Sequence, residues 1–315
     1  MSTLRESLAA YVATRRALGT KLREPATSLR RFVDFLEREI AEYVTSELAL
    51  RWATEPAGVL PSTWARRLCT VRRFAAWLSV TDPRTEVPPR GLLRARHRRN
   101  TPHIFADHEI EQLMGEAARL SSPTGLRALT QETLIGVLVA TGLRPGEALA
   151  LDVQDVDLQD GILSVRRTKF GKSRFVPVHE SVRAALAHYA ERREAVRPRR
   201  QTKAFFVSER GTPLGHAAVR RTFAILSRAI GLRTAMERRR IGRGPRLQDL
   251  RHTFATKRLV DWYRAGLDVD RMMPALATYL GHVQVHNTYW YIQAVPELLQ
   301  LATERQAARP WGGAR

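Results

Sequence analysis

Apolar residues in the first 90 positions recur at intervals of three or four, which places them on one face of an α-helix. The clearest examples are the stretches 29–40 and 64–78, and prolines separate neighbouring stretches. The pattern then stops, because residues 81–103 contain four prolines and a run of arginine and histidine without apolar periodicity. We therefore predict a helical domain over 1–90, followed by a basic linker over 91–103.

The remaining residues, 104–315, are predicted to form a second domain that is also mainly helical. A strongly apolar helix is expected over 126–141, ending at the glycine that follows. Alternating apolar and polar residues at 162–166 and 174–178 predict the two strands of a β-hairpin, and a short strand is indicated at 205–207. The predicted fold class is therefore α+β, mostly helices with a small β-hairpin or sheet.

The charge balance points to a polyanionic partner. The 315 residues include 52 Lys and Arg against 31 Asp and Glu, a formal net charge of +21. Residues 1–100 hold 19 basic and 10 acidic side chains and the rest hold 33 and 21, so both parts are basic. Such a balance favours nucleic acid or an anionic membrane surface. The longest apolar stretch, 134–143, is too short to span a bilayer, and a lone cysteine excludes a disulfide framework. We expect a cytoplasmic protein without membrane contact.

Four arginines lie between the apolar positions of the last predicted helix in the first domain. They are Arg66, Arg67, Arg72 and Arg73, and the pattern places them on the face opposite the apolar one. A solvated charged face accounts for such residues as well as a binding surface does. The net positive charge favours contact with DNA phosphates for some of them.

Lysine is rare in this basic chain. Five of the 52 basic residues are lysines, and two of the five, Lys169 and Lys172, lie on the predicted hairpin turn. Arginine would serve equally well for plain attraction to phosphate. Lysine differs because burial or neighbouring cations can lower its pKa until it gives up a proton. The turn is therefore either a solvated loop or the place of an acid that protonates a leaving oxygen.

Three further segments carry groups suited to phosphate chemistry. In TGLRPGEAL, Arg144 stands at a Gly–Pro junction, and Glu147 follows one helical turn later, where it can hold the guanidinium. In PRLQDLRHTFAT, Arg251 stands early on a predicted helix. In YLGHVQVHNTYWY, His282 stands nine residues before Tyr291. Each segment alone is also compatible with a purely structural role.

Together these landmarks resemble the tyrosine recombinase (phage integrase) family. That family carries an arginine in a TGLRxxE box, a lysine on a hairpin turn, an HxLRH box, an LGH box and a nucleophilic tyrosine nine residues after the last histidine. The corresponding residues here, in the same order, are Arg144, Lys169, Arg251, His282 and Tyr291. The resemblance covers the second domain, and the first domain is similar to the family's core-binding domain. The ending TYWYIQAVPELL resembles integrases carried by bacterial mobile elements.

The resemblance implies that the protein cleaves and rejoins DNA at specific sites. The Tyr291 hydroxyl would attack a phosphodiester to give a 3′-phosphotyrosyl bond and a free 5′-hydroxyl, which then attacks the partner duplex. Arg144 and Arg251 would stabilise the charge of the transition state. Lys169 would protonate the departing oxygen, and His282 would donate to the phosphate. No cofactor, metal ion or ATP would be needed.

Other residues take supporting parts in this interpretation. Glu147 and His252 would support the catalytic groups, and Lys172 would contact a phosphate. Tyr289 is the alternative nucleophile, although the nine-residue step favours Tyr291.

The resemblance also implies an assembly. The two domains would close as a clamp around double-stranded DNA at core recombination sites, and a homotetramer would form on two such sites. Partner recombinases or accessory factors are further expected partners. The protein would act in the bacterial cytoplasm, in association with the nucleoid.

One residue departs from the family pattern. The HxLRH box begins with histidine, whereas this sequence has Gln248. Glutamine holds a phosphate or a water through hydrogen bonds but cannot accept a proton near neutral pH. Two interpretations stay open: an active recombinase in which Gln248 has a holding role, and a catalytically weakened DNA-binding accessory protein of the same fold. A type IB topoisomerase, which shares the chemistry, is a third.

Overall fold

Two compact units make up the chain, residues 1–100 and residues 101–315, and each has its own buried apolar core. The computed structural model describes residues 3–93, 101–166, 173–197, 202–234, 244–294, 298–300 and 303–304. Within these ranges, every helix is too short or too polar to span a bilayer.

Four helices build the described part of the first unit. They are α1 (Leu4–Ala17), α2 (Arg23–Arg38), α3 (Ser46–Thr54) and α4 (Pro61–Leu78). Their apolar faces meet in one cluster, in which the Phe32 and Trp52 rings lie 5.1 Å apart. Thr45 caps α3 with its side chain, and a proline opens α4 at a position where its missing N–H costs no hydrogen bond. The helices predicted from apolar spacing at 29–40 and 64–78 correspond to α2 and α4.

Residues 81–90 pack against the helices of the first unit, although their prolines and arginines are typical of a linker. Arg72 donates through Nε to the carbonyl of Pro88 (2.6 Å) and through Nη2 to that of Pro89 (2.7 Å). The backbone N–H of Glu86 donates to the Val44 carbonyl (2.8 Å). Residues 81–90 therefore belong to the first unit, and the linker over 91–103 stays a prediction.

The second unit surrounds one central helix. Its helices are α5 (Asp107–Ala118), α6 (Leu126–Thr141), α7 (Pro145–Ala148), α8 (Glu180–Val196), α9 (His216–Ala229), α10 (Leu247–Arg264), α11 (Val269–Leu280) and α12 (His286–Ala294). Helix α6 packs against α5, α8 and α10 and is buried on most sides. It ends at Gly142, whose φ of +60° favours glycine, and a Cβ added there would lie 2.5 Å from the Phe254 ring.

A small antiparallel sheet lies beside these helices, with strands in the order β1 (Val156–Asp157), β2 (Ile162–Val165) and β3 (Arg174–Pro177). Strands β2 and β3 confirm the predicted hairpin, and Leu163 pairs with Val176 on its buried face. Strand β1 is two residues long, too short for an alternating pattern to predict. The hairpin turn lies outside the described residues.

The strand predicted at 205–207 is wrong. All three residues are buried, which fits a buried strand and a buried irregular segment equally well, so the hydrogen bonds decide between them. The segment forms only isolated bridges, and its carbonyls find partners elsewhere: Arg193 Nη1 donates to the Phe205 carbonyl (2.8 Å). A continuous apolar run here reflects a buried irregular segment.

Candidate active site

Arg144 stands directly before α7, two residues after the left-handed Gly142. Its Nη1 donates to Glu147 Oε1 (2.6 Å), and its backbone N–H donates to Glu147 Oε2 (3.1 Å). The contact is local, because three residues make about one helical turn and the carboxylate reaches back to the start of α7. Glu147 is nearly buried, with 8% of its side chain exposed, while Arg144 is 30% exposed. The pairing predicted from TGLRPGEAL is present.

A second arginine contacts the same carboxylate, and the sequence patterns above do not single it out. Arg174 on β3 donates through Nη2 to Glu147 Oε2 (2.9 Å) and through Nε to the Tyr279 carbonyl (2.7 Å). Burial alone would raise the pKa of the Glu147 carboxyl, but Arg174 and then Arg144 outweigh it and hold the pKa below its usual range. Strand alternation could have indicated that Arg174 points inward, since it shares a face of β3 with the buried Val176.

Arg251 lies early on α10 and is almost completely buried, with 1% of its surface exposed. Its Nη1 donates to the Gly142 carbonyl (2.8 Å), and its Nη2 donates to the Leu280 carbonyl (2.7 Å) and to His282 Nε2 (2.9 Å). Burial lowers the pKa of the guanidinium, and the nearby Tyr291 opposes that shift. Arg251 therefore joins the residue after α6 to the end of α11.

The neighbours of His282 define its tautomer. Arg251 can only donate, so His282 Nε2 accepts from it, and Nδ1, which lies 2.7 Å from Thr288 Oγ1, carries the proton. Burial, and then the charges of three nearby arginines, lower the pKa of His282 to about 4. The expected donation from His282 to a phosphate is not available from Nε2 in this arrangement, because that atom holds no proton.

Tyr291 lies on α12 with 3% of its surface exposed, between two histidine rings. The His282 ring is stacked on it, with centroids 6.0 Å apart and planes inclined by 20°. The His252 ring approaches at 5.3 Å with planes inclined by 62°. The predicted nucleophile is therefore next to the histidine and to Arg251, which it affects electrostatically.

Tyr289, the alternative nucleophile, has different surroundings. It is 38% exposed, and its hydroxyl donates to Asp270 Oδ1 (3.2 Å). Burial and the Asp270 carboxylate raise the pKa of Tyr289, which disfavours the phenolate. An attacking phenol needs cations nearby, so the geometry favours Tyr291.

His252 and Gln248 share helix α10. The His252 ring contacts Trp290 at a centroid distance of 5.1 Å, and its buried Nδ1 has no hydrogen-bond partner among the described residues. Burial lowers the pKa of His252 to about 4. Gln248 is half-buried in the first turn, and no described residue hydrogen-bonds to its side chain. Lys169 and Lys172 lie outside the described residues.

The four arginines of α4 fall into two pairs. Arg66 and Arg73 are exposed, as predicted. Arg67 instead places its guanidinium 3.7 Å from the centroid of the Trp52 ring and donates to the Trp52 carbonyl (2.6 Å), and Arg72 donates to the proline carbonyls described above. At about 100° per residue, Arg67 and Arg72 flank the apolar stripe. Their placement on the opposite face is wrong, because both guanidiniums donate to carbonyls within the first unit.

The site brings together positive charge, a phenol and a neutral imidazole. Arg144, Arg174 and Arg251 outnumber the single carboxylate of Glu147. Guanidiniums bind the non-bridging oxygens of a phosphodiester, and a phenol oxygen can attack its phosphorus. In the ranges that the structure covers, no three His, Cys, Asp or Glu side chains come together as potential metal ligands.

This arrangement of arginines, histidine and tyrosine lies in a segment that matches the phage integrase family over residues 104–297. The chain belongs to that family. A Sinorhizobium fredii protein named as an integrase/recombinase, y4rB, is 43% identical to it over 313 residues, 98% of each chain. The tyrosine recombinase XerD of Caulobacter vibrioides is 30% identical over 255 residues, which cover 81% of this chain and 77% of XerD.

The fold is also similar to that of a solved recombinase. A crystal structure of a lambda integrase tetramer bound to a Holliday junction matches with a TM-score of 0.60 and 17% sequence identity, covering 90% of this chain and 78% of the integrase chain.

Proposed function

We propose that this protein is a site-specific DNA recombinase, an integrase that cleaves and rejoins DNA through a covalent bond to Tyr291. The observation that carries the proposal is the buried Tyr291 ring beside His282 and Arg251, in a chain of the phage integrase family. DNA as substrate is supported by the net charge of +21 and by the similarity to the tyrosine recombinase XerD.

The Tyr291 hydroxyl releases its proton to water as its oxygen attacks the phosphorus of a phosphodiester, and the bond to the 5′-oxygen breaks. A 3′-phosphotyrosyl bond and a 5′-hydroxyl result, so one ester replaces another and neither ATP nor a metal ion is required. Arg144 and Arg251 stabilise the charge of the transition state. Lys169 protonates the departing 5′-oxygen. Attack by the 5′-hydroxyl of a second duplex on the phosphotyrosyl bond releases the enzyme and completes strand exchange.

Two groups adjust to a bound phosphate. Arg251 and His282 are bonded to each other here. A phosphate oxygen that takes the Arg251 donor frees His282 Nε2, which then acts on the phosphate as a donor once protonated. Gln248, at the position of the family histidine, holds the phosphate through its amide.

The parts of the chain have separate tasks in this proposal. Residues 1–90 form a core-binding domain, 91–103 a basic linker and 104–315 the catalytic domain, which together clamp duplex DNA. The exposed Arg66 and Arg73 contact phosphates. A homotetramer acts on two core sites, which the lambda integrase tetramer on a Holliday junction supports. The setting is mobile-element DNA in the bacterial cytoplasm and nucleoid, with partner recombinases or accessory factors.

Covalent trapping tests the proposal. The full-length protein is incubated with duplexes from the DNA that flanks its gene, each nicked so that the cleaved strand diffuses away and the adduct accumulates. We expect an adduct that resists denaturation, present in the wild type and in Tyr289→Phe and absent in Tyr291→Phe. Specific binding without any adduct would identify an accessory protein instead. Relaxation of supercoiled DNA without strand exchange would identify a topoisomerase.

A further inference from the structure

Arg174 has no part in the reaction just described, yet it binds the partner of a catalytic arginine. We infer that Arg174 is a positioning residue for Arg144: it fixes the Glu147 carboxylate and takes up much of its charge, so that the Arg144 guanidinium can face a phosphate. The inference rests on the proposed function.

Glu147 is shared unequally between the two arginines. Arg174 meets both carboxylate oxygens, with Nη2 2.9 Å from Oε2 and Nη1 3.4 Å from Oε1. The Arg144 side chain meets only Oε1, from Nη1 at 2.6 Å. A guanidinium that faces both oxygens is the more strongly oriented partner. The Arg144 backbone N–H also donates to Oε2 (3.1 Å), so the start of α7 and the Arg174 guanidinium together fix the carboxylate. The Arg144 side chain therefore approaches a carboxylate whose direction is already set.

Arg174 is in turn held from its other side. Its backbone belongs to β3, and its Nε donates to the Tyr279 carbonyl (2.7 Å) near the end of α11. Gly281, with a φ of +68°, packs directly on the guanidinium, and a Cβ added there would lie 2.6 Å from Arg174 Nη1. Arg174 thus joins the hairpin, α7 and the turn that carries His282.

Burial and charge separate the tasks of the two arginines. Arg174 is 11% exposed and Glu147 8%, whereas Arg144 is 30% exposed, so Arg144 is the member that a ligand can reach. If Arg144 alone faced the carboxylate, the two charges would cancel. With two guanidiniums on one carboxylate the group keeps a net charge of +1, which a phosphate transition state can use.

Single-turnover cleavage with two matched DNA substrates tests the inference. One substrate carries a normal phosphodiester at the cleaved position and the other a neutral methylphosphonate, which needs less cationic stabilisation. We expect Arg174→Met to slow cleavage of the phosphodiester about 100-fold, the scale of a displaced catalytic group, and to slow cleavage of the methylphosphonate about tenfold or less. Arg174→Lys keeps the charge and should recover part of the phosphodiester rate.

The control is Arg183→Met, which removes an arginine of the same unit that bonds to the exposed Glu180 and to the Leu158 carbonyl, and we expect wild-type cleavage. In a Glu147→Gln background, Arg174→Met should slow cleavage by less than a further factor of about two. The reason is that both substitutions act on the same contact, the one that orients Arg144. Equal losses on the two substrates, a fully additive double variant or full activity of Arg174→Met would each overturn the inference. An inactive wild type would overturn the proposed function and this inference with it.

Discussion

Replacing Arg251 with methionine should lower stability as well as activity, whereas the same replacement of Arg144 should lower activity alone. Arg251 is 1% exposed and donates to the carbonyls of Gly142 and Leu280 and to His282. Methionine fills similar space but donates no hydrogen bond. Arg144 is 30% exposed, and its carboxylate partner keeps a second arginine when it is removed.

The structure sets the expected magnitudes. A buried acceptor that loses its donor costs about 1–3 kcal/mol. Arg251→Met leaves two carbonyls without their donor, but it also removes a buried charge, which offsets part of the loss. We therefore expect the free energy of unfolding to fall by about 2–4 kcal/mol. In a unit of this size each kcal/mol corresponds to roughly 2–4 °C, so Tm should fall by roughly 4–16 °C. Arg144→Met removes a partly exposed arginine from a carboxylate that keeps Arg174 as its partner, so we expect a loss of about 0–1 kcal/mol.

Calorimetry of the full-length variants measures the stability, and covalent trapping measures the cleavage. In both variants the rate of adduct formation should fall about 100-fold or more, which is the usual effect of removing a donor to a developing negative charge. Transition temperatures of the two variants within roughly 2 °C of each other would refute the reasoning that Arg251 also holds the fold together.

Three further predictions concern other charged and polar groups. Gln248→Ala should leave the free energy of unfolding within about 0.5 kcal/mol of wild type and slow single-turnover cleavage about tenfold through the lost phosphate contact, whereas Gln248→His should be close to neutral. His282 and His252 should stay neutral down to about pH 4 in an NMR titration. Histidine in the unfolded chain has a pKa of ~6.5, so between pH ~6.5 and about 4 the unfolded chain binds more protons than the folded one. The free energy of unfolding should therefore fall as the pH drops through this range. Arg66→Ala should reduce the log–log salt slope of DNA binding by about 1 without loss of stability, whereas Arg67→Ala should lower the free energy of unfolding by about 1–2 kcal/mol.

Each of these predictions has a clear contrary result. A large rate gain in Gln248→His, with a pH dependence near ~6.5, would show that this position carries proton transfer. Histidine midpoints near ~6.5 would contradict the buried neutral rings. An unchanged salt slope for Arg66→Ala, or equal stabilities of the Arg66 and Arg67 variants, would contradict the division of the α4 arginines.

Sequence patterns predicted the parts of the site that depend on short spacing. The Arg144–Glu147 pair spans three residues, and helix geometry alone brings such residues together. The hairpin follows from strand alternation, and β2 and β3 begin at the predicted positions. Tyr291 was predicted from the resemblance to the family, whose tyrosine stands nine residues after the last histidine, and the Tyr291 and His282 rings are stacked in the structure.

The remaining contacts could not be predicted, because they join distant positions through groups that have no residue signature. Arg251 bonds to the Gly142 carbonyl across 109 residues, and Arg174 bonds to the Tyr279 carbonyl across 105. Every residue has a carbonyl, so no pattern marks those that are used. Arg67 was misplaced for a related reason: its partner, the Trp52 ring, lies on another helix.

The buried Arg251 is held without a carboxylate, since its bonded partners among the described residues are two carbonyls and an imidazole. Both carbonyls belong to helix C-termini: Gly142 caps α6, and Leu280 is the last residue of α11. Aligned peptide dipoles give each such end a partial charge of about −0.5. Two helix ends can therefore help to balance this cation in the free protein, where no described carboxylate is bonded to it. An incoming phosphate then meets a guanidinium that has no carboxylate bonded to it. A change that frays the end of α6 or α11 would alter the electrostatics of the site without touching a catalytic residue.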